Sequence, residues 1–277
     1  MRAISQEFLA LSIDGSHQNL YFRYSVPIGH FKNYLKGLQK DFGATYTYLR
    51  LALEGNRVER VTDFAQCKHP VLLIYGFGAT RRIFGILEKR LRRDGFCVFS
   101  LNLGGLFETF NTRCIEELAL HVHEKVERLC EKHKLGKISI VGHSKGGLIG
   151  RYYVKRLGGS HRVKALITLG TPHHGNHWAF LGAFSPLGLF SKSVWQMVPM
   201  SGFIRNLKKG PWPKSVKLTS IFSRDDKICF YKSSMLDIPA NCNYIKNIEL
   251  EGLSHSDYII RKSAYDVIKK ELLAVEK

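Results

Sequence analysis

The stretch Gly142-His143-Ser144-Lys145-Gly146-Gly147 places a serine between glycines two residues away on either side. An apolar, β-branched run precedes it over 137–141, and a helix-like run follows over 148–157. A sharp turn from strand to helix needs glycine at both flanking positions, because a Cβ there would collide with neighbouring backbone. The turn lifts the hydroxyl out of the sheet, towards the free N–H groups of the following helix. We interpret Ser144 as a nucleophile beside an oxyanion site; the alternative is a glycine-rich turn with an idle serine.

Strand-like and helix-like runs alternate on both sides of this turn. Strands are predicted over 71–75, 96–101, 137–141, 163–169, 216–223 and 247–250, and helices over 81–93, 115–132, 148–157 and 257–276. Asn111 or Thr112 is the expected cap of the longest helix. Alternation of this kind builds a mainly parallel sheet with helices on both faces. The sequence therefore predicts an α/β fold.

Two segments depart from this alternation. Residues 1–66 are predicted to form an N-terminal helical extension, with an amphipathic helix over 34–53 that packs on the main domain or lies on a membrane. Residues 67–277 are predicted to form the main domain. Within it, the segment at about 176–213 is too apolar for a surface loop. It predicts a cap of short helices that serves as a lid over the site, or as ordinary domain filler.

The charge balance is strongly basic. The 277 residues include 42 Lys and Arg against 23 Asp and Glu, which gives a formal net charge of +19. This charge attracts anionic partners such as membranes or nucleic acid, unless it only reflects the general composition of the host's proteins. The sequence lacks the pattern of basic residues and stacking aromatics that is typical of nucleic-acid-binding proteins. We therefore expect no nucleic acid partner and favour peripheral association with an anionic membrane surface.

The six cysteines lie singly in the sequence, without a C-x-x-C pair. This spacing argues against zinc-finger and thioredoxin folds and predicts buried thiols that act as small apolar side chains. Neither a secretory signal peptide nor a transmembrane segment is recognisable. The expected location is therefore the cytoplasm, with all cysteines reduced.

Two groups of histidines raise the question of a metal site. The first group is His173, His174 and His177, and the second is His121 and His123. No carboxylate or cysteine stands at ligand spacing beside the first group. We therefore expect neither a bound metal nor a cofactor.

A serine hydroxyl is a weak nucleophile at neutral pH, so it needs a histidine base and a carboxylate that orients the base. In a sheet of this topology the acid follows the serine in the chain, and the histidine comes last. The acids that closely follow a strand in a polar loop are Asp225 and Asp226, and the only histidine after them is His255. This histidine lies between the last strand and the last helix, where its ring can reach the C-terminal edge of the sheet.

Taken together, these motifs resemble the α/β-hydrolase superfamily, and within it the bacterial lipases and esterases. The resemblance covers residues 70–272 and rests on four stretches, 142–147, 169–175, 223–228 and 252–255. In the family's acid loop, one residue and then an aliphatic residue follow the aspartate. This register implies Asp226 rather than Asp225 as the acid.

The resemblance also implies an oxyanion hole formed by the backbone N–H groups of Lys145 and Phe77. The chain departs from the family at two positions near this hole. Lys145 stands where an apolar or amide residue is usual, and Tyr75-Gly76 stands where His-Gly is usual. Because the backbone donates the hydrogen bonds, the second departure still allows an oxyanion hole.

The resemblance implies a serine hydrolase that cleaves carboxylic esters through an acyl-enzyme, with Ser144, His255 and Asp226 as its triad. The apolar segment and the basic charge favour lipid esters. Three alternatives stay open: an acyltransferase or thioesterase on the same triad, a binding module without turnover, and a basic membrane-docking scaffold with a vestigial site.

Overall fold

The computed structural model describes residues 9–13, 20–24, 43–56, 62–65, 67–105, 110–185, 188 and 191–276. These residues form one eight-stranded sheet. Its strands are β1 (Leu9–Ile13), β2 (Leu20–Tyr24), β3 (Pro70–Ile74), β4 (Cys97–Ser100), β5 (Ile138–His143), β6 (Val163–Leu169), β7 (Lys217–Phe222) and β8 (Ile245–Leu250). They lie in the order β1-β2-β8-β7-β6-β5-β3-β4. The pair β1–β2 is antiparallel, and all other neighbouring pairs are parallel.

The helices connect these strands and pack in two groups. They are α1 (43–53), α2 (Gly85–Arg93), α3 (Ile115–His133), α4 (Lys145–Arg156), α5 (His177–Ala183), α6 (Lys192–Gln196), α7 (Gly202–Lys208), α8 (Tyr231–Ser234), α9 (Asp257–Ile260) and α10 (Lys262–Leu273). Helix α3 packs against α4, whereas α2 packs against α9 and α10. The predicted α/β fold with a mainly parallel sheet is confirmed.

The central strands lie in the core. All five residues of β3 and all six residues of β5 are buried. Strands that are covered on both faces need apolar side chains in both directions, which explains why their sequences are nearly continuous apolar runs rather than alternating ones. The site that follows these strands therefore stands on the most rigid part of the sheet.

The winding of the chain reverses between β3 and β5. From β3 the chain passes outward to β4, and it then returns to place β5 on the opposite side of β3. Connections that leave two adjacent strands in opposite directions open a crevice at the C-terminal ends of the strands, where ligands bind in α/β sheets. The loop 75–79 follows β3 and Ser144 follows β5, so both lie at this crevice.

The N-terminal segment corrects the prediction of a purely helical extension. It contributes β1 and β2 to the sheet, with β2 pairing parallel to β8, and it is helical over 43–53. The strands are short and rich in aromatic and aliphatic residues, LALSI and LYFRY. Runs of five residues offer little periodicity, so these strands do not stand out in the sequence. Residues 34–42 of the predicted amphipathic helix lie outside the described residues.

Two helix boundaries also differ from the prediction. Neither Asn111 nor Thr112 caps α3, which follows Cys114 without a side-chain cap. Instead, Gln196 Oε1 accepts a hydrogen bond of 2.8 Å from the N–H of Ile115. The final helix is divided between α9 and α10 because Arg261 adopts an extended conformation, with ψ of 146°.

A disulfide links Cys67 to Cys97 across a sequence separation of 30 residues. The expectation that all six cysteines are reduced is therefore wrong for this pair. Of the other four, Cys114, Cys130 and Cys229 are buried thiols. The disulfide escaped the sequence analysis because the partners come from a loop and a strand that meet only in the folded chain.

None of the helices in the described ranges is long and apolar enough to cross a membrane.

Loss of the disulfide is expected to destabilise the protein. Closing a loop of this length lowers the conformational entropy of the unfolded chain, which raises the free energy of unfolding by about 3–4 kcal/mol. The double variant Cys67→Ser, Cys97→Ser should unfold at a lower temperature than the wild type in calorimetry without reductant. The two proteins should converge when both are scanned with reductant. Equal transition temperatures without reductant would contradict the prediction.

Candidate active site

Ser144 occupies a strained turn between β5 and α4. Its backbone has φ of 55° and ψ of −127°, a conformation that residues other than glycine rarely adopt. The Ser144 N–H donates to Leu169 O at 2.9 Å. The Ser144 carbonyl accepts from Gly147 N at 3.0 Å and from Thr171 Oγ1 at 2.9 Å. These bonds hold the strained residue, so its hydroxyl has a fixed place at the end of the sheet.

The glycines beside the serine are required by close approaches of the backbone. A Cβ on Gly142 would lie 2.6 Å from Gly147 Cα, and one on Gly146 would lie 2.0 Å from Ile74 O. Both distances are far below van der Waals contact. Helix α4 therefore reaches the ends of β3 and β5 only because these two positions lack side chains, as the sequence predicted.

His255 and Asp226 form a hydrogen-bonded pair. Nδ1 of His255 lies 2.8 Å from Asp226 Oδ2. The Asp226 side chain is fully buried, and that of His255 is 14% exposed. Asp226 Oδ1 accepts from the N–H groups of Ile228 and Cys229 at 2.9 and 2.8 Å. The carboxylate is therefore held from one side by backbone, and its other oxygen fixes the imidazole ring.

The neighbouring aspartate has a different position. Asp225 is exposed, and its Oδ2 accepts from the N–H of Gly252 at 2.8 Å. It therefore ties the acid loop to the loop that carries His255, without touching the ring. The pairing with His255 falls to Asp226, the residue that the family's register implied.

His143 supports the histidine loop, and the sequence analysis missed it. Its Nε2–H donates to the carbonyl of His255 at 2.9 Å, and the two ring centroids are 4.7 Å apart. Burial and the neighbouring His255 lower the pKa of His143 to about 3. His143 is therefore a neutral donor at physiological pH. In the sequence, only its position between Gly142 and Ser144 indicates that His143 lies near the site.

Ser144 and His255 each lie close to a glycine that follows a strand of the sheet. A Cβ on Gly76 would lie 3.3 Å from Ser144 Oγ, and a Cβ on Gly170 would lie 3.2 Å from His255 Nδ1. Within the described part of the chain, no hydrogen bond joins Ser144 Oγ to His255. Catalytic hydrogen bonds of this kind are often long until substrate binds, so the arrangement fits a serine and base that close on each other during reaction.

The two expected oxyanion donors lie on either side of the crevice. Lys145 is the first residue of α4, so its N–H has no acceptor within the helix. Phe77 lies in the loop 75–79, and buried Asn111 fastens this loop. Asn111 Nδ2 donates to Tyr75 O at 2.8 Å, and Asn111 O accepts from Gly78 N at 3.1 Å. Asn111 thus holds the loop rather than capping a helix.

The Lys145 side chain is fully buried beneath this loop. Its Nζ donates to Arg113 O at 2.7 Å, to Ser193 Oγ at 3.0 Å and, more weakly, to Asn111 O at 3.4 Å. It also lies 5.5 Å from the centre of the Phe77 ring. Burial lowers the pKa of Lys145 to about 7. The Lys145 side chain thus links the turn at Ser144, the loop 75–79 and the apolar segment.

The apolar segment is helical, with α5, α6 and α7 in the range 176–213. It exposes a set of large apolar side chains that do not pack in the core: Trp178, Phe180, Leu181, Phe184, Trp195 and Met200. The rings of Phe180 and Trp195 each contact Phe184, at centroid distances of 5.1 and 5.7 Å. Phe180, Phe184 and Trp195 therefore form one cluster of exposed aromatic rings on the segment.

The three histidines that raised the question of a metal site, His173, His174 and His177, have other contacts. His173 Nε2 lies 2.9 Å from Thr168 Oγ1, and His174 Nε2 donates to Met235 O at 2.9 Å. His177 packs against the ring of Phe230. The described ranges hold no group of three His, Cys, Asp or Glu side chains that could bind a metal ion.

Comparison of the sequence with known families finds one matching profile, described as the α/β hydrolase fold, over residues 69–194. Triacylglycerol lipases of Pseudarthrobacter phenanthrenivorans and Burkholderia plantarii are each 26% identical over 122 residues. The matched region covers 42% of this chain, and 37% and 33% of the two relatives. The chain thus matches only about a third of the length of these relatives.

Two solved structures share the fold over most of the chain. The mature form of a Bacillus licheniformis lipase has a TM-score of 0.62 and 17% identity, with 79% of this chain and 96% of the lipase covered. Aspergillus fumigatus lipase B has a TM-score of 0.64 and 17% identity, with 78% and 55% covered. The chain therefore has the α/β-hydrolase fold and is similar to lipases and esterases.

Proposed function

We propose that the protein hydrolyses carboxylic esters with Ser144 as nucleophile. The observation that carries the proposal is the hydrogen bond of 2.8 Å between His255 and Asp226, next to a serine on a strained turn. A buried carboxylate on Nδ1 leaves Nε2 as the proton acceptor, which is the tautomer that a base for serine needs. A glycine-rich turn alone would not require such a pair.

In the proposed reaction, Ser144 Oγ attacks the ester carbonyl carbon while His255 Nε2 takes the hydroxyl proton. The N–H groups of Lys145 and Phe77 hold the negative oxygen of the tetrahedral intermediate. The carbon–oxygen bond to the alcohol then breaks, and His255 returns the proton to the leaving alcohol. Water repeats the sequence on the acyl-enzyme and releases the acid, while Asp226 stabilises the imidazolium in both steps.

Lipid esters are the substrate class that we propose. The exposed apolar side chains of α5 and α6 suit contact with acyl chains, and the net charge of +19 suits an anionic lipid surface. The relatives named as triacylglycerol lipases support the same class. In this proposal the segment 176–213 contacts the lipid, and the protein associates peripherally with the membrane.

Replacement of the nucleophile is expected to abolish turnover. Ser144→Ala should lower kcat/KM for p-nitrophenyl esters by roughly 10⁴-fold or more and prevent labelling by a fluorophosphonate. Ser139→Ala is the matched control, because Ser139 is a buried serine on β5 whose hydroxyl has no partner within the described ranges. Activity that survives in the Ser144 variant would exclude the mechanism. Products formed with and without glycerol separate hydrolysis from acyl transfer.

The two neighbouring aspartates should differ sharply in their effect on kcat. Asp226→Asn replaces the carboxylate with a neutral amide whose NH₂ can donate to Nδ1 and hold the ring in the wrong tautomer, and it is expected to lower kcat by roughly 10³–10⁴-fold. Asp225→Asn removes only a contact with Gly252 and should cost less than about tenfold. Steady-state kinetics of both variants, with circular dichroism as a check on folding, test the assignment. Equal losses would contradict it.

Lys145 should make stability depend on pH. Its pKa is about 7 in the folded protein and near 10.5 when unfolded, so the unfolded state binds more protons between these values. The free energy of unfolding of the wild type, relative to Lys145→Met, should therefore rise with pH above 7, by at most about 1.4 kcal/mol per pH unit. Urea denaturation of both proteins at several pH values measures this difference. A difference that stays constant from pH 7 to 9 would contradict the burial argument.

A further inference from the structure

A second polar cavity lies on the flank of the sheet. Its volume is about 220 Å³, and it is lined by side chains of α4, α7, the loop after β6 and the segment between α8 and β8. Trp212 and Leu236 form apolar walls. Arg151, the innermost charged residue, stands seven residues after Ser144, which is about 10 Å along the helix. The cavity is therefore separate from the crevice that holds the serine.

The Arg151 guanidinium has few direct partners among the described residues, although the charge of Asp237 reaches it from a longer distance. In the described part of the chain, its Nε is buried without a hydrogen-bond partner, and its Nη1 has only a 3.4 Å contact with His173 Nδ1. Burial, reinforced by the charge of Arg151, keeps the pKa of His173 well below its usual value, so the imidazole is neutral. Among the same residues no carboxylate lies within ion-pair distance of Arg151. Arg151 is partly buried, and an Nε–H that is buried without an acceptor is costly, so this guanidinium gains from a bound partner.

Two lysines add to the positive charge of the cavity. Lys155 lies one turn beyond Arg151 on α4, and its Nζ donates to Leu207 O at 2.9 Å and Lys208 O at 3.2 Å. Burial and the charge of Arg151 lower the pKa of Lys155 to about 8. Lys208 lies opposite, against His174.

The negative charge on the cavity wall is much smaller. The acidic side chain of the lining is Asp237, which is 73% exposed and 3.9 Å from Lys208 Nζ. Three cationic side chains thus face one solvated carboxylate. An anion bound between the cations would supply the missing charge.

We propose that this cavity binds a phosphate group, with Arg151 as the principal ligand and Lys155 and Lys208 as supporting charges. A guanidinium fork pairs with two oxygens of a phosphate, and a dianion compensates the cluster better than a single carboxylate does. The volume admits a phosphate group with several waters, since one water occupies about 30 Å³ in the liquid. The phosphate comes either from solution or from a phosphorylated lipid head group. The inference is independent of the proposed hydrolysis.

Calorimetric titration of the full-length protein with inorganic phosphate, in chloride buffer of matched ionic strength, tests the site. Arg151→Met and Lys208→Gln should each weaken phosphate binding by about tenfold or more. Lys132→Gln removes the same charge from an exposed position on α3 and should bind like the wild type. In chloride buffer, Arg151→Met should be at least as stable as the wild type, because it removes a partly buried charge that has no ion-pair partner among the described residues.

A second titration with glycerophosphocholine distinguishes the two sources of phosphate. Binding of this diester that is lost in Arg151→Met supports a lipid head group, whereas binding of inorganic phosphate alone supports a soluble phosphate. A wild type that responds to phosphate no more than to chloride would overturn the proposal. Undiminished phosphate binding in a folded Arg151→Met variant would also overturn it.

Discussion

The close approach of α4 to the ends of β3 and β5 is the constraint on which the site depends. The carbonyl of Ile74 lies where the Cβ of residue 146 would be, so only glycine allows the helix to reach the sheet. This contact places the first turn of α4 against the backbone of Ile74, where the loop 75–79 begins. Ser144, in the turn between β5 and α4, has a positive φ. The strain is tolerated because backbone hydrogen bonds to Leu169 and Gly147 hold the turn on both sides.

The cationic side chains of Lys145 and Arg151 differ in how many of their N–H donors have an acceptor inside the protein. Among the described residues no carboxylate lies within ion-pair distance of Lys145 Nζ, but the ammonium has three oxygen acceptors, which matches its three N–H donors. Arg151 has five N–H donors and only a histidine nitrogen within reach among the described residues. The first cation is satisfied inside the protein and acts as a structural link. The second is not satisfied, which is the physical basis for proposing an external anion.

The sequence predicted those features that depend on local pattern. The strands near Ser144, the turn itself and the order of acid and histidine follow from periodicity, glycine spacing and chain order. Features that depend on tertiary contact were missed. The pairing of Cys67 with Cys97, the support of His255 by His143 and the burial of Lys145 all join residues that only the fold brings together. From the sequence alone, a lysine next to Ser144 is expected at the surface, because the oxygen atoms that accept its hydrogen bonds come from distant parts of the chain.

The apolar segment is attached to both sides of the crevice. At the start of α5, Asn176 Nδ2 donates to Ile228 O at 3.0 Å and Trp178 Nε1 donates to Lys227 O at 2.8 Å, which ties this helix to the acid loop. At the start of α6, Ser193 Oγ accepts a hydrogen bond from Lys145 Nζ, which ties that helix to the first residue of α4. Because hydrogen bonds hold both helices, moving them as one unit would break contacts to the acid loop and to the buried lysine together. Acyl chains can reach the exposed faces of α5 and α6 without that cost, so the proposed lipid contact requires no opening of the segment.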